Sequence, residues 1–98
     1  MITFDEAIEI AQLQLRKIQE DNKLSSLMLI LDQTRVESFG WVFFYNTEEF
    51  LKTGNISACL AGNAPFIVNG ESGELYETGT AKPVDVYIDE YKRQLFKR

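Results

Sequence analysis

Two apolar runs, Leu27-Met28-Leu29-Ile30-Leu31 and Trp41-Val42-Phe43-Phe44-Tyr45, constrain this chain more than any other feature. Neither alternates with polar residues, so as strands they present apolar side chains to both sides of a sheet, and both sides need covering. The stretch between them, Asp32 to Gly40, alternates more and ends in glycine, which suits strand continuation into a turn. The spacing therefore predicts one long hairpin. On its second strand, Trp41, Phe43 and Tyr45 project from one face and Val42 and Phe44 from the other.

Thr3 followed by Glu6 makes a capping box. Phe4, Ala7, Ile8, Ala11, Leu15 and Ile18 then recur at helical spacing, predicting a helix from about Phe4 to Asn22. Asp5, Glu6 and Glu9 complement the positive end of its dipole. Ile10 and Leu13 lie off the main stripe and either widen the buried face or meet a partner. Thr47 to Gly54 offers a cap, two acidic first-turn residues and a terminating glycine, the pattern of a short helical turn. Pro65 drives Ala64 towards an extended conformation. Phe66-Ile67-Val68 and Leu75-Tyr76-Glu77-Thr78 then flank Asn69-Gly70-Glu71-Ser72-Gly73, a second hairpin. After Gly79, Pro83 suits the first turn of a helix that carries Val84, Tyr87, Ile88, Tyr91 and Leu95 at helical spacing, with Lys92, Arg93, Lys97 and Arg98 near its end.

Strand runs joined by short turns indicate an α+β fold with a largely antiparallel sheet of about four strands, arranged as two hairpins. The N-terminal and C-terminal helices pack on that sheet, and residues 1–98 form a single domain. A chain of 98 residues with 45% hydrophobic content can hold such a core without covalent staples. Two helices suffice to cover one sheet face. The other face is expected to be closed by loops, by a second copy of the chain in a homodimer, or by a partner, because a large exposed apolar patch is unfavourable.

The function classes narrow by residue counts. Fifteen acidic against ten basic residues give a net charge of −5, which opposes a nucleic-acid surface and favours a neutral or basic partner. The chain has no histidine, which removes the usual general base, the commonest metal ligand and every histidine-activated nucleophile. Cys59 has no second cysteine to pair with and no histidine to activate it, so it reads as a structural or surface thiol. Glycines 54, 62, 70, 73 and 79 form no phosphate-binding motif and read as turn residues. Asp85 and Asp89, four residues apart, and the adjacent Glu48 and Glu49 read as solvated helix charges rather than catalytic pairs. No enzyme activity, cofactor or metal is expected. The segment Met1-Ile2-Thr3-Phe4-Asp5-Glu6 lacks the basic region and apolar run of a signal peptide, and no stretch reaches about 18 apolar residues. A cytoplasmic location away from membranes is expected. Aromatic residues dominate protein interfaces. Trp41, Phe43 and Tyr45 therefore read either as core packing or as partner contacts, and they stand as candidate contacts with the carboxylates of Glu48, Glu49, Glu71 and Glu74.

The run Gly62-Asn63-Ala64-Pro65-Phe66-Ile67-Val68, followed by Ser72-Gly73-Glu74-Leu75 and by Gly79-Thr80-Ala81-Lys82-Pro83 with Tyr87 and Tyr91, resembles the YrhB-like, immunity protein 35 family of bacteria. Gly40-Trp41-Val42-Phe43 and Phe50-Leu51-Lys52-Thr53-Gly54 extend the resemblance over nearly the whole chain. It implies a small non-enzymatic protein encoded beside a polymorphic toxin, which it neutralises by binding. Papain-like proteases and ADP-ribosyltransferases are the toxin classes implied. The YrhB branch implies, as an alternative, a chaperone-like heat-shock role. The matched positions Gly62, Asn63, Ala64, Pro65, Gly73, Gly79, Thr80 and Pro83 are turn-forming and core-forming types, so the resemblance carries over a scaffold and no catalytic group.

Overall fold

The computed structural model describes residues 1–22, 26–59 and 64–96. Gly62 and Asn63 of the family-like motif, and Lys97 and Arg98 of the expected basic helix end, lie outside the described residues. In chain order the elements are α1 (Phe4–Asn22), β1 (Leu27–Leu29), β2 (Arg35–Glu37), β3 (Gly40–Phe43), β4 (Tyr45–Thr47), α2 (Glu48–Thr53), β5 (Phe66–Asn69), β6 (Leu75–Glu77) and α3 (Val84–Phe96). The fold is α+β with antiparallel sheets throughout.

The long hairpin forms, but both of its strands break. β1 pairs with β4, and β2 with β3. Between the pairs Leu29↔Tyr45 and Arg35↔Val42, five residues intervene on the first strand and two on the second. A 3₁₀ turn at Leu31–Gln33 takes up the excess. The two-stranded piece is thereby offset from a four-stranded sheet in the order β2-β3-β5-β6.

Alternation along β3 and β5 sends their apolar side chains to opposite faces. Phe43, Phe66 and Val68 meet Ala7, Ala11 and Leu15 of α1, joined by Leu27 and Tyr45. Val42 and Ile67 meet Ile88 and Tyr91 of α3, together with Phe39. The two alanines on α1 have no exposure, so the helix backbone sits close against the sheet. The helices therefore lie one on each face. This corrects the expectation that both cover a single face: β5 is apolar at every side chain from Phe66 to Val68, and one helix cannot serve both sides of it. At about 1.5–3 kcal/mol for each fully buried large apolar side chain, neither layer is dispensable. Ile10 packs against the α1 layer, whereas Leu13 is exposed.

Local chemistry fixes the ends of the elements. The Thr3 hydroxyl accepts from the Glu6 N–H at 3.1 Å while the Glu6 carboxylate accepts from the Thr3 N–H at 3.0 Å, the reciprocal pattern of a capping box. Thr47 caps α2 by accepting from the Phe50 N–H at 3.1 Å, and Gly54 ends it in the left-handed conformation at φ 73°. Pro65 turns its carbonyl to the base of the second hairpin, where the Thr78 N–H and hydroxyl both donate to it. Gly79 lies under Tyr87: a Cβ there would stand 2.4 Å from the phenol oxygen.

Candidate protein-binding surface

Three segments meet at the tip of the β2–β3 hairpin. The Gly70 N–H donates to the Phe39 carbonyl at 2.7 Å, and the Ile2 N–H donates to the Gly70 carbonyl at 2.8 Å, binding the hairpin tip, the β5–β6 turn and the chain start together. Asn69 braces the turn from inside. Its buried side-chain carbonyl accepts from the N–H groups of Glu71 and Ser72, while its amide donates to the Tyr91 hydroxyl at 3.1 Å. The β5–β6 turn is thus tied to α3.

These segments enclose a shallow concavity of about 220 Å³, lined by Met1, Ile2, Val36, Trp41 and Glu71 among others. Val36 pairs with Trp41 across β2 and β3, which puts both on the α1 side of the sheet. α1 covers Trp41 only in part, through Phe4 at a ring separation of 5.8 Å, and leaves Val36 at 78% exposure. Arg35 and Glu37, the neighbours of Val36, face α3 instead. Arg35 donates to Asp85 at 2.6 Å, and that carboxylate raises the guanidinium pKa above its ordinary value. Glu37 lies between Arg35 at 3.4 Å and Lys92 at 3.2 Å. β2 therefore shows an apolar side chain on one face and a knitted row of charges on the other.

The predicted contact residues divide. Trp41 and Glu71 share this concavity, and exposed Glu74 stands on the same β5–β6 turn. Glu48 and Glu49 do not join them. They open α2 at the far end of the long hairpin, where Glu48 pairs with Lys52, and seven residues of nearly extended chain from Trp41 amount to roughly 20 Å. Phe43 and Tyr45 are buried, so the expectation that they touch a partner is corrected. Phe43 has no exposure, and Tyr45 stacks on Phe66 at 4.9 Å, inside the layer that α1 covers. That burial, with the nearby Glu77 carboxylate, pushes the Tyr45 phenol up from its usual pKa.

Of the turn motif, Ala64 and Pro65 lead into β5, and Gly73 adopts φ 76° while donating to the Asn69 carbonyl at 2.9 Å. Thr80 lies exposed between Gly79 and α3, and the Pro83 carbonyl accepts the Val86 N–H in the first turn of α3. The sequence reading missed Val36 and Asn69. The apolar residue alternating between Arg35 and Glu37 was the available signal for the first, and asparagine at the start of a glycine-bearing turn for the second.

Asp85, one of the paired helix carboxylates, is engaged with Arg35. Cys59 is half-buried with its sulfur 3.5 Å from the Asn46 amide. Among the described residues, no group of three His, Cys, Asp or Glu side chains is placed to hold a metal ion, and no helix is long and apolar enough to cross a membrane.

A family model described as Immunity protein 35 matches residues 5–93. The uncharacterized protein YrhB of Escherichia coli (strain K12) is 51% identical over 55 residues, covering 56% of this chain and 58% of that protein. The chain thus matches less than two thirds of that relative's length. No solved structure matches.

Proposed function

The chain belongs to the immunity protein 35 family, and from that premise we propose that it neutralises a cognate bacterial toxin by binding it in the cytoplasm and blocking its working surface, without catalysis. The observation that supports a docking surface at the hairpin tip is the pairing of exposed Val36 with half-buried Trp41, beside Glu71, on a frame held by backbone hydrogen bonds. Interface energy concentrates at a few anchors, among which tryptophan is enriched. The carboxylates of Glu71 and Glu74, on a chain of net charge −5, suit a basic toxin surface and speed its approach. A chaperone-like holding role calls for an uncovered apolar sheet face, and α1 and α3 cover both faces.

Co-expression with the toxin encoded beside its gene tests the proposal, with papain-like proteases and ADP-ribosyltransferases as the classes implied by the resemblance. The expected result is a stoichiometric complex and restored growth. Absence of both, with the toxin active and this chain folded, contradicts it.

A further inference from the structure

β2 is an edge of the four-stranded sheet, and its backbone orientation follows from the ladder beside it. The Asn69 N–H points to β6, where it donates to the Glu74 carbonyl at 2.9 Å. Backbone groups alternate in direction along an antiparallel strand. With the pairs Gly40↔Asn69 and Glu37↔Gly40, this alternation turns Arg35 and Glu37 towards β3. Val36 alone of the three then directs its N–H and carbonyl out from the sheet. Its side chain is 78% exposed on one face, and the charges of Arg35 and Glu37 stand on the other.

We propose that β2 pairs with β2 of a second copy of this chain, antiparallel, with Val36 on the twofold axis. In that register each Val36 N–H donates to the Val36 carbonyl of the other copy, and Arg35 of each faces Glu37 of the other. The sheets then run on from four strands of one copy into four of the other. The two Val36 side chains meet on the α1 side, where Met1, Ile2 and Trp41 flank them and the exposed apolar patch covers itself.

The charges select this register. Moving the axis to Arg35 or to Glu37 keeps the hydrogen-bond alternation but sets Arg35 against Arg35 or Glu37 against Glu37, and like charges directly opposite are destabilising. Charged residues on a short edge normally prevent indiscriminate pairing; here they leave one self-complementary arrangement. Strands of three residues place the contact below roughly 1,200 Å², the size of weak and transient interfaces, so the dimer is concentration-dependent. The inference does not rest on the toxin reading. A toxin seated on the same patch excludes the second copy.

Sedimentation equilibrium of the full chain over a wide concentration range, with no toxin present, tests the pairing. Wild type is expected to pass from monomer to dimer as concentration rises. R35E and E37R, each shown to be folded by circular dichroism, are expected to lose dimer affinity at least ten-fold alone, whereas an equimolar mixture of the two recovers it, because opposite charges again face each other across the axis. V36P, which removes the outward N–H, is expected to be monomeric. A wild type that stays monomeric throughout, a V36P dimer as strong as wild type, or a mixture no stronger than its components overturns the proposal.

Discussion

At the residue scale, a few side chains decide whether the hairpin tip exists. Gly40 adopts φ 148°, and a Cβ built there would stand 2.1 Å from the Val68 carbonyl oxygen. Gly40→Ala therefore loses about 1–3 kcal/mol to backbone strain alone, and displacement of β5 adds to it. A urea-unfolding midpoint unchanged from wild type would contradict that account. Asn69→Ala leaves the N–H groups of Glu71 and Ser72 and the Tyr91 hydroxyl without this partner. Because a buried group left unpaired costs about 1–3 kcal/mol, the variant is expected to unfold earlier. Amide exchange of the Glu71 and Ser72 N–H groups is expected to accelerate more than that of β3, and equal acceleration in both places would show that Asn69 does not brace the turn specifically.

At the element scale, helices and caps were legible in the sequence and the layering was not. Thr3, Glu6, Thr47 and Gly54 set the bounds of α1 and α2 through contacts within a few residues, which local pattern can display. The 3₁₀ turn at Leu31–Gln33 and the break at Phe44 arise from an unequal number of residues on two strands that meet only in the folded sheet. Periodicity on either strand alone does not carry that information. The aromatic row Trp41, Phe43, Tyr45 illustrates the same limit: alternation placed the three on one face, but only the position of α1 decides that Phe43 and Tyr45 are core while Trp41 stays half open.

The capping box of α1 gives a pH prediction of definite sign. Hydrogen bonds from the Thr3 backbone and side chain hold the Glu6 carboxyl below its ordinary pKa. A carboxylate depressed in the folded state adds stability above its unfolded pKa and loses it as pH falls through the folded value. The unfolding midpoint of Glu6→Gln should therefore lie below wild type near neutral pH and converge with it as the solution is acidified through the carboxylate range. A gap that widens on acidification would contradict this origin.

At the scale of the whole molecule, two covered sheet faces change how this chain can recognise a partner. A reading from sequence alone left one face open for a client or a twin subunit, whereas the exposed apolar side chains are scattered over Leu13 of α1, Ile56 beyond α2 and other single positions, and at the sheet edge and hairpin tip Met1 and Val36 stand beside half-buried Trp41. Such a surface is small and rigidly framed, which suits selective binding better than general capture of unfolded chains. Glu48, Glu49, Leu51 and Ile56 gather around α2 at the opposite end. Val36→Asp places a carboxylate in the middle of the proposed contact, where a buried polar group left unpaired costs about 1–3 kcal/mol and a charged one more. The most direct measurement is isothermal titration of the cognate toxin into wild type, Val36→Asp and Glu49→Lys. The account predicts stoichiometric binding by wild type, at least ten-fold weaker binding by Val36→Asp and little change in Glu49→Lys; binding unaffected by Val36→Asp but abolished by Glu49→Lys would place the toxin surface at α2 and contradict it.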